Sequence, residues 1–206
     1  MQDDGDRPTV VMLDYDGVLV DSFDYFHGAF VEACHAHGFT QVDGPEAFRR
    51  IFDVNMYDGL VAAGVPREAI GPILESMAAA LAQNGGRYDF FEGIPQVLDR
   101  LAERAKLLVI TSNLTANPER FLRGHGITCI EEVLGSDKGL SKVEKIRGVM
   151  QRHPAARHYY VGDTVGDIIE GREAGALTVG VSWGSRSTAA SIRWRWPFAK
   201  PVPRPC

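Results

Sequence analysis

Two carboxylates set two residues apart open the stretch Asp14-Tyr15-Asp16-Gly17-Val18-Leu19-Val20-Asp21-Ser22. Side chains at i and i+2 of an extended chain project to the same side, so both can face one substrate. Such a pair can divide its labour, one carboxylate attacking an electrophile while the other moves protons. Gly17 lets the backbone turn back sharply without a Cβ clash. A second acidic pair, Asp163 and Asp167, stands in Gly162-Asp163-Thr164-Val165-Gly166-Asp167. Read alone, that spacing is also what a helix start gives, because acids are favoured at the positive end of the macrodipole.

The elements that must position these groups can be read from periodicity. Thr9-Val10-Val11-Met12-Leu13 is a continuous apolar run ending at Asp14, as expected of a strand buried on both faces. Similar runs stand at 107–110, 158–161 and 177–181, each preceded by a helical pattern. Alternation of this kind predicts βαβ units and a parallel sheet. Ile94, Val97, Leu98, Leu101 and Ala102 repeat the amphipathic stripe, with Pro95 in the first turn, so a helix should run to about Arg104. A second helix is expected over 141–151, and a third from near Val165 to Gly175.

Residues 21–92 read differently, as Ala-rich helix with breaks at Gly44-Pro45, Gly64-Val65-Pro66, Gly71-Pro72 and Gly85-Gly86 and no convincing strand. That block is too long for a simple crossover. The expected fold is α/β: a Rossmann-like three-layer α/β/α core with a parallel sheet, from residues 1–20 and 93–206, plus an inserted all-helical cap domain over 21–92.

The Asp14–Ser22 stretch resembles the first motif of the haloacid dehalogenase superfamily of hydrolases. Leu108-Val109-Ile110-Thr111-Ser112-Asn113 resembles the second, in which a hydroxyl ends an apolar strand, and 161–167 the acidic fourth. The third should supply a lysine, for which Gly135-Ser136-Asp137-Lys138-Gly139-Leu140-Ser141-Lys142 offers two, without the Lys-Pro pair common in the family. Lys142, at the start of the expected helix, is preferred over Lys138 in the turn-rich stretch before it.

The resemblance implies a phosphatase acting on a small phosphate monoester of the phosphoglycolate or sugar-phosphate kind. Asp14 would be the nucleophile, forming an acyl phosphate that splits one hard hydrolysis into two easier steps. Asp16 would protonate the departing oxygen and later take a proton from water. It must start protonated, so a neighbouring negative charge should raise its pKa. The acids converge in the family's fold, and two unit charges ~4 Å apart cost about 4 kcal/mol at an effective dielectric near 20. A divalent cation resolves this, and oxygen-only ligands favour Mg2+. Asp14 and Asp163 would bind it directly, Asp16 through its backbone carbonyl, and Asp167 directly or through a water. Thr111 and Lys142 would hold the phosphoryl oxygens, with Gly17, Ser112 and Asn113 also on the substrate. Arg49 and Arg50 in the cap could grip a carboxylate or second phosphate, since Arg forks pair with such groups; an exposed charged helix face is the bland alternative.

Bulk composition bounds the rest. The chain has 206 residues, 45% hydrophobic and 24% charged, as in ordinary globular proteins. Its net charge is −5, yet 185–206 carries Arg186, Arg193, Arg195, Lys200 and Arg204 with no acid, which leaves −10 on 1–184. So acidic a body is a poor nucleic-acid binder. No apolar run approaches the ~20 residues that span a bilayer, and the acidic start lacks the regions of a signal peptide, so a cytoplasmic protein with no membrane partner is expected, monomer or homodimer. Cys34, Cys129 and Cys206 form no CxxC pair, and the six histidines show no ligand spacing. The tail from Ser185 is atypical of the family, and Pro197, Pro201, Pro203 and Pro205 exclude a terminal helix.

Alternatives on the same fold are weighed by what they need. A dehalogenase needs neither Asp16 nor Asp163, and a phosphonatase would need a cap lysine, which 21–92 lacks. A phosphomutase, or a catalytically silent binding protein, stays open.

Overall fold

A computed structural model describes residues 7–52, 56–83 and 88–184. The break expected at Gly85-Gly86 and the tail from Ser185 lie outside these residues. Five parallel strands, β1 (Thr9–Leu13), β2 (Lys106–Ile110), β3 (Ile130–Leu134), β4 (Arg157–Gly162) and β5 (Leu177–Gly180), form one sheet in the order β3-β2-β1-β4-β5. β1 is central, and Val10 to Leu13 are buried on both faces, as the apolar run requires. The chain winds outward from β1 through β2 to β3, then crosses back to β4 and β5. This reversal opens a crevice at the carboxyl end of β1, where open α/β sheets take their ligands.

Helices cover both faces. α5 (Ile94–Ala102) and α6 (Ala116–Gly124) bring Leu98 and Leu122 onto a cluster with Val11, Leu13, Leu107, Val109 and Val133. On the opposite face, α7 (Lys142–Arg152) and α8 (Val165–Ala174) bring Ile146, Val149 and Ala174 onto Val10, Met12, Leu108, Ile110 and Tyr160. Ser141 caps α7 with a reciprocal capping box to Glu144, and Gly175 ends α8 in the left-handed conformation at φ 93°. The expected helix boundaries hold to within two residues.

Two elements carry little sequence signal. β3 reads Ile-Glu-Glu-Val-Leu because it is an edge strand whose glutamates face outward, Glu131 to Lys106 and Glu132 to Arg152. α6 starts Ala-Asn-Pro-Glu and is mostly polar, with Pro118 and Leu122 as its buried residues.

Between β1 and α5 the described chain is helical: α1 (Phe23–Ala36), α2 (Gly44–Phe52), α3 (Met56–Ala62) and α4 (Arg67–Gln83). They share their own apolar cluster, with Phe30, Leu60, Ile70 and Ile73 at its centre. The expected break at Gly71-Pro72 does not occur, and α4 runs through it. Pro72 withholds one N–H, but it lies on the exposed face, where water can serve the carbonyl left over, while Ile70, Ile73 and Met77 hold the buried stripe. The two connections to this insert run side by side. Val20 and Phe90 form an antiparallel bridge, Asp21 N donates to Asp89 O at 2.9 Å and Phe91 N to Leu19 O at 3.0 Å.

Ile146 is fully buried between α7 and the sheet. Ile146→Ala should lower the unfolding free energy by about 2–5 kcal/mol in urea titrations, as deletion of buried methylenes leaves a cavity.

Candidate active site

Asp14 extends β1 by one residue, its N–H donating to Val161 O at 2.9 Å. Its carboxylate is buried, with Oδ1 accepting from Tyr15 N at 2.8 Å and Oδ2 from Lys142 Nζ at 2.8 Å. The chain then folds back on itself: Gly17 stands at φ 79°, and both Leu19 N and Val20 N donate to Tyr15 O. This turn carries Asp16 to the other side of the crevice mouth, where it accepts from Ser22 Oγ at 2.8 Å and Asn113 Nδ2 at 3.4 Å.

Across the crevice, β4 ends at Gly162 and Asp163 follows, buried. Thr164 caps α8 in a reciprocal box with Asp167, whose Oδ2 accepts from Thr164 N at 3.1 Å and Oγ1 at 2.6 Å. Asp167 Oδ1 accepts from Tyr160 Oη at 3.0 Å and from Lys142 Nζ at 2.7 Å. Lys142 sits in the first turn of α7, where a cation opposes the helix dipole. Its placement is offset by the two carboxylates it bridges. Lys138, the other sequence candidate, is exposed on a 3-10 turn at Ser136–Lys138.

Titration follows from burial and this bridge. Burial pushes the Asp14 carboxyl well up, against the opposing pull of Lys142. Burial also works to raise Asp167, but Lys142 and the Thr164 donors outweigh it and hold that carboxyl below its ordinary value. Lys142 is desolvated, yet Asp14, Tyr160 and Asp167 carry its pKa well above normal, so the ammonium is charged. Asp16 is pushed up to about 6. The sequence reasoning named a neighbouring negative charge as the cause; burial is the main one, with Asp163 a smaller contribution and the Ser22 and Asn113 donors opposing.

Oxygens of Asp14, Asp163 and Asp167 lie within 4.8 Å of one another. A buried donor set made of carboxylate oxygens alone fits a hard divalent cation such as magnesium. Asp16 is not in this group; with its carboxylate on Ser22 and Asn113, any metal role would fall to its carbonyl. Three glycines make the convergence possible. A Cβ at Gly17 would overlap the Asp163 carboxylate, one at Gly162 would overlap Asp167 Cβ, and one at Gly184 would overlap both Asp163 Cβ and Gly17 O. The loops after β1 and β5 are therefore in backbone contact with each other and close on the Asp163 side chain.

The remaining candidates fall into two sets. Thr111 is buried at the end of β2, and its Oγ1 accepts from Asn113 N at 3.0 Å, which leaves its own hydrogen to donate. Ser112 is exposed next to it, and Asn113 links the β2 loop to Asp16. Arg49 and Arg50 lie on α2, outside this cluster. Arg50 is exposed and pairs with Glu46 one turn back, while the Arg49 guanidinium lies 5.0 Å over the Phe23 ring with its Nε buried and unbonded. Phe23 directly follows Ser22, the Asp16 partner, and itself packs against the insert's apolar cluster. Of Phe23, Tyr25, Phe26 and Phe30, read as packing the first helix and hinge, Phe23, Phe26 and Phe30 join the insert's core and Tyr25 Oη donates to Leu81 O.

Four contributors were missed by sequence reasoning. Ser22 and Tyr160 hold Asp16 and Asp167; Trp183 Nε1 donates to Val18 O at 3.1 Å; and Lys145 donates to Thr111 O at 3.0 Å. Ser22 lay inside the quoted first motif, but the others had no local signal. Among the described residues, no helix is long and apolar enough to cross a membrane.

Comparisons with known proteins agree with this fold. The chain is 26% identical over 183 residues to a phosphoglycolate phosphatase of Synechococcus elongatus, covering 84% of each. It is 29% identical over 187 residues to the tyrosine-protein kinase PtkA of Mycobacterium tuberculosis, covering 87% of this chain and 64% of that one. In structure it superposes on a haloacid dehalogenase-like family hydrolase of Streptococcus pneumoniae with TM-score 0.75, 22% identity and 86% coverage of both chains. A family model for haloacid dehalogenase-like hydrolases matches residues 11–181, which takes in the whole acidic crevice and the lysine that bridges it: the chain belongs to that family.

Proposed function

We propose that the protein hydrolyses a small phosphate monoester, of the phosphoglycolate or sugar-phosphate kind, through a phosphoryl group held transiently on Asp14. The observation that carries this reading is the junction of Asp14, Asp163, Asp167 and Lys142 in one buried crevice. Asp14, Asp163 and Asp167 would hold a magnesium ion, with the Asp16 carbonyl as a further donor. Bound there, the ion would supply charge neutralisation and alignment of the phosphoryl group.

The protein's own groups then have distinct tasks. Lys142, fixed by two carboxylates, presents a desolvated ammonium to the phosphoryl oxygens and keeps Asp14 oriented. Thr111 donates its free hydroxyl hydrogen to another oxygen. Asp14 Oδ attacks phosphorus as the ester oxygen leaves with a proton from Asp16, and Asp16, now a carboxylate, takes a proton from the water that attacks the acyl phosphate. A carboxyl pushed up to about 6 can serve both as acid and as base near neutrality. Residues 21–92 would act as a cap that excludes water and favours small substrates, with Arg49 the candidate for a substrate's second anionic group.

The mycobacterial relative favours one other reading, in which a protein tyrosine takes the phosphoryl group in place of water. Both readings share the attack by Asp14 and differ in the acceptor and in the donor, a nucleoside triphosphate in place of a monoester.

Asp14→Asn should abolish phosphate release from 4-nitrophenyl phosphate, at least ~10³-fold, and EDTA should do so reversibly on return of Mg2+. Full turnover in either case removes the mechanism. A phosphate-release screen over small phosphate esters, run beside transfer from [γ-32P]ATP to a tyrosine peptide, should give release from one or more esters and no labelled peptide.

A further inference from the structure

Lys145 is a buried cation for which the reaction has no use as yet. Only 3% of its surface is exposed, and among the described residues its Nζ makes one hydrogen bond, to Thr111 O at 3.0 Å. Among the described residues no carboxylate stands within ion-pair distance of Nζ. Asp137, Asp14 and Glu170 act on it only from beyond that distance, and a buried ammonium so placed, with one acceptor, is costly; such placements persist where the charge serves another group.

What it serves is indicated by geometry. Thr111 closes β2 at the crevice, its N–H already donating to Leu134 O at 3.1 Å. The 111–112 peptide is planar and trans, so its carbonyl and the Ser112 N–H point in opposite directions. Fixing the carbonyl on Lys145 therefore fixes the Ser112 N–H away from Lys145, toward the exposed side of the loop. No acceptor for that N–H exists among the described residues, and the neighbouring Thr111 hydroxyl also keeps a free hydrogen. Lys145 and Lys142 stand three residues apart in α7, hence on one face of it, so the same helix holds both the bridging ammonium and the β2 loop.

We propose that Lys145 is a positioning residue of the phosphate site: by anchoring the Thr111 carbonyl it presents the Ser112 N–H and the Thr111 hydroxyl as a preformed pair of donors to a phosphoryl oxygen. This rests on the phosphatase reading. It acts on binding of the phosphoryl group, through the peptide, and leaves the attack by Asp14 and the acidic metal site untouched.

The test is calorimetric titration of inorganic phosphate in the presence of Mg2+, alongside steady-state kinetics with 4-nitrophenyl phosphate. Lys145→Met should weaken phosphate binding and raise KM by about tenfold or more, with kcat and the Mg2+ concentration for half-activation within about threefold of wild type. Lys145→Arg, which can still donate to the carbonyl, should recover most of the affinity. Lys145→Gln, a neutral donor, should fall between, and these two carry the test if the methionine variant does not fold. Wild-type phosphate affinity in Lys145→Gln or Lys145→Met, with only the melting temperature lowered, overturns the positioning role and leaves the phosphatase reading standing. Failure of the wild-type protein to bind phosphate at all overturns both.

Discussion

One ammonium, shared between two buried carboxylates, is the constraint around which this crevice is organised. Lys142 reaches Asp14 and Asp167 at 2.8 and 2.7 Å from a helix that belongs to neither acid's loop. Removing one member of a buried ion pair costs about 3–5 kcal/mol, since its partner is left charged and desolvated. The three groups therefore have to arrive together, and the sheet order makes that possible. β1 and β4 are neighbours, and α7 enters the crevice directly ahead of β4. The lysine occupies a position that helix electrostatics disfavours, which is the kind of local conflict found where a site sets the terms. A metal in the same cluster would ease the raised carboxyl of Asp14 further, because its charge acts on the group that burial penalises most.

Glycine does the complementary work by subtraction. The loops after β1 and β5 press on Asp163 so closely that Gly17 and Gly184 have no room for a Cβ, and Gly162 at the end of β4 has none because Asp167 stands against it. Of these, Gly17 also needs its positive φ, so it is fixed twice over, by turn and by contact. The crevice is thus shaped as much by backbone proximity as by the acids that line it.

Much of this is legible in the amino-acid sequence itself. Four strands announce themselves as apolar runs: β1 and β2 because central parallel strands are buried on both faces, whereas β5 keeps its run at the edge while only partly buried. α7 announces itself by its stripe, and the Ser141–Glu144 box fixes its start. That start is what separates Lys142 from Lys138, since the first turn of the helix faces the strand ends while the 3-10 turn before it faces water. β3 and α6 escape because edge positions tolerate charge, and Pro72 misleads because an exposed helix face tolerates a missing N–H. Lys145, Tyr160 and Trp183 escape for another reason. Nothing local separates a lysine that meets a carbonyl 34 residues away, or an indole that meets one 165 residues away, from surface or core filler.

The paired connections at Val20 and Phe90 carry a consequence for engineering. Hydrogen bonds across that neck fix the spacing of the two chain ends from the sheet side, independently of how the helices beyond it pack among themselves. Lengthening the segment between them adds only a slowly growing entropy, about 0.6 kcal/mol per doubling. A neck of this kind would let the inserted lobe be lengthened or replaced with little disturbance to the sheet beneath it.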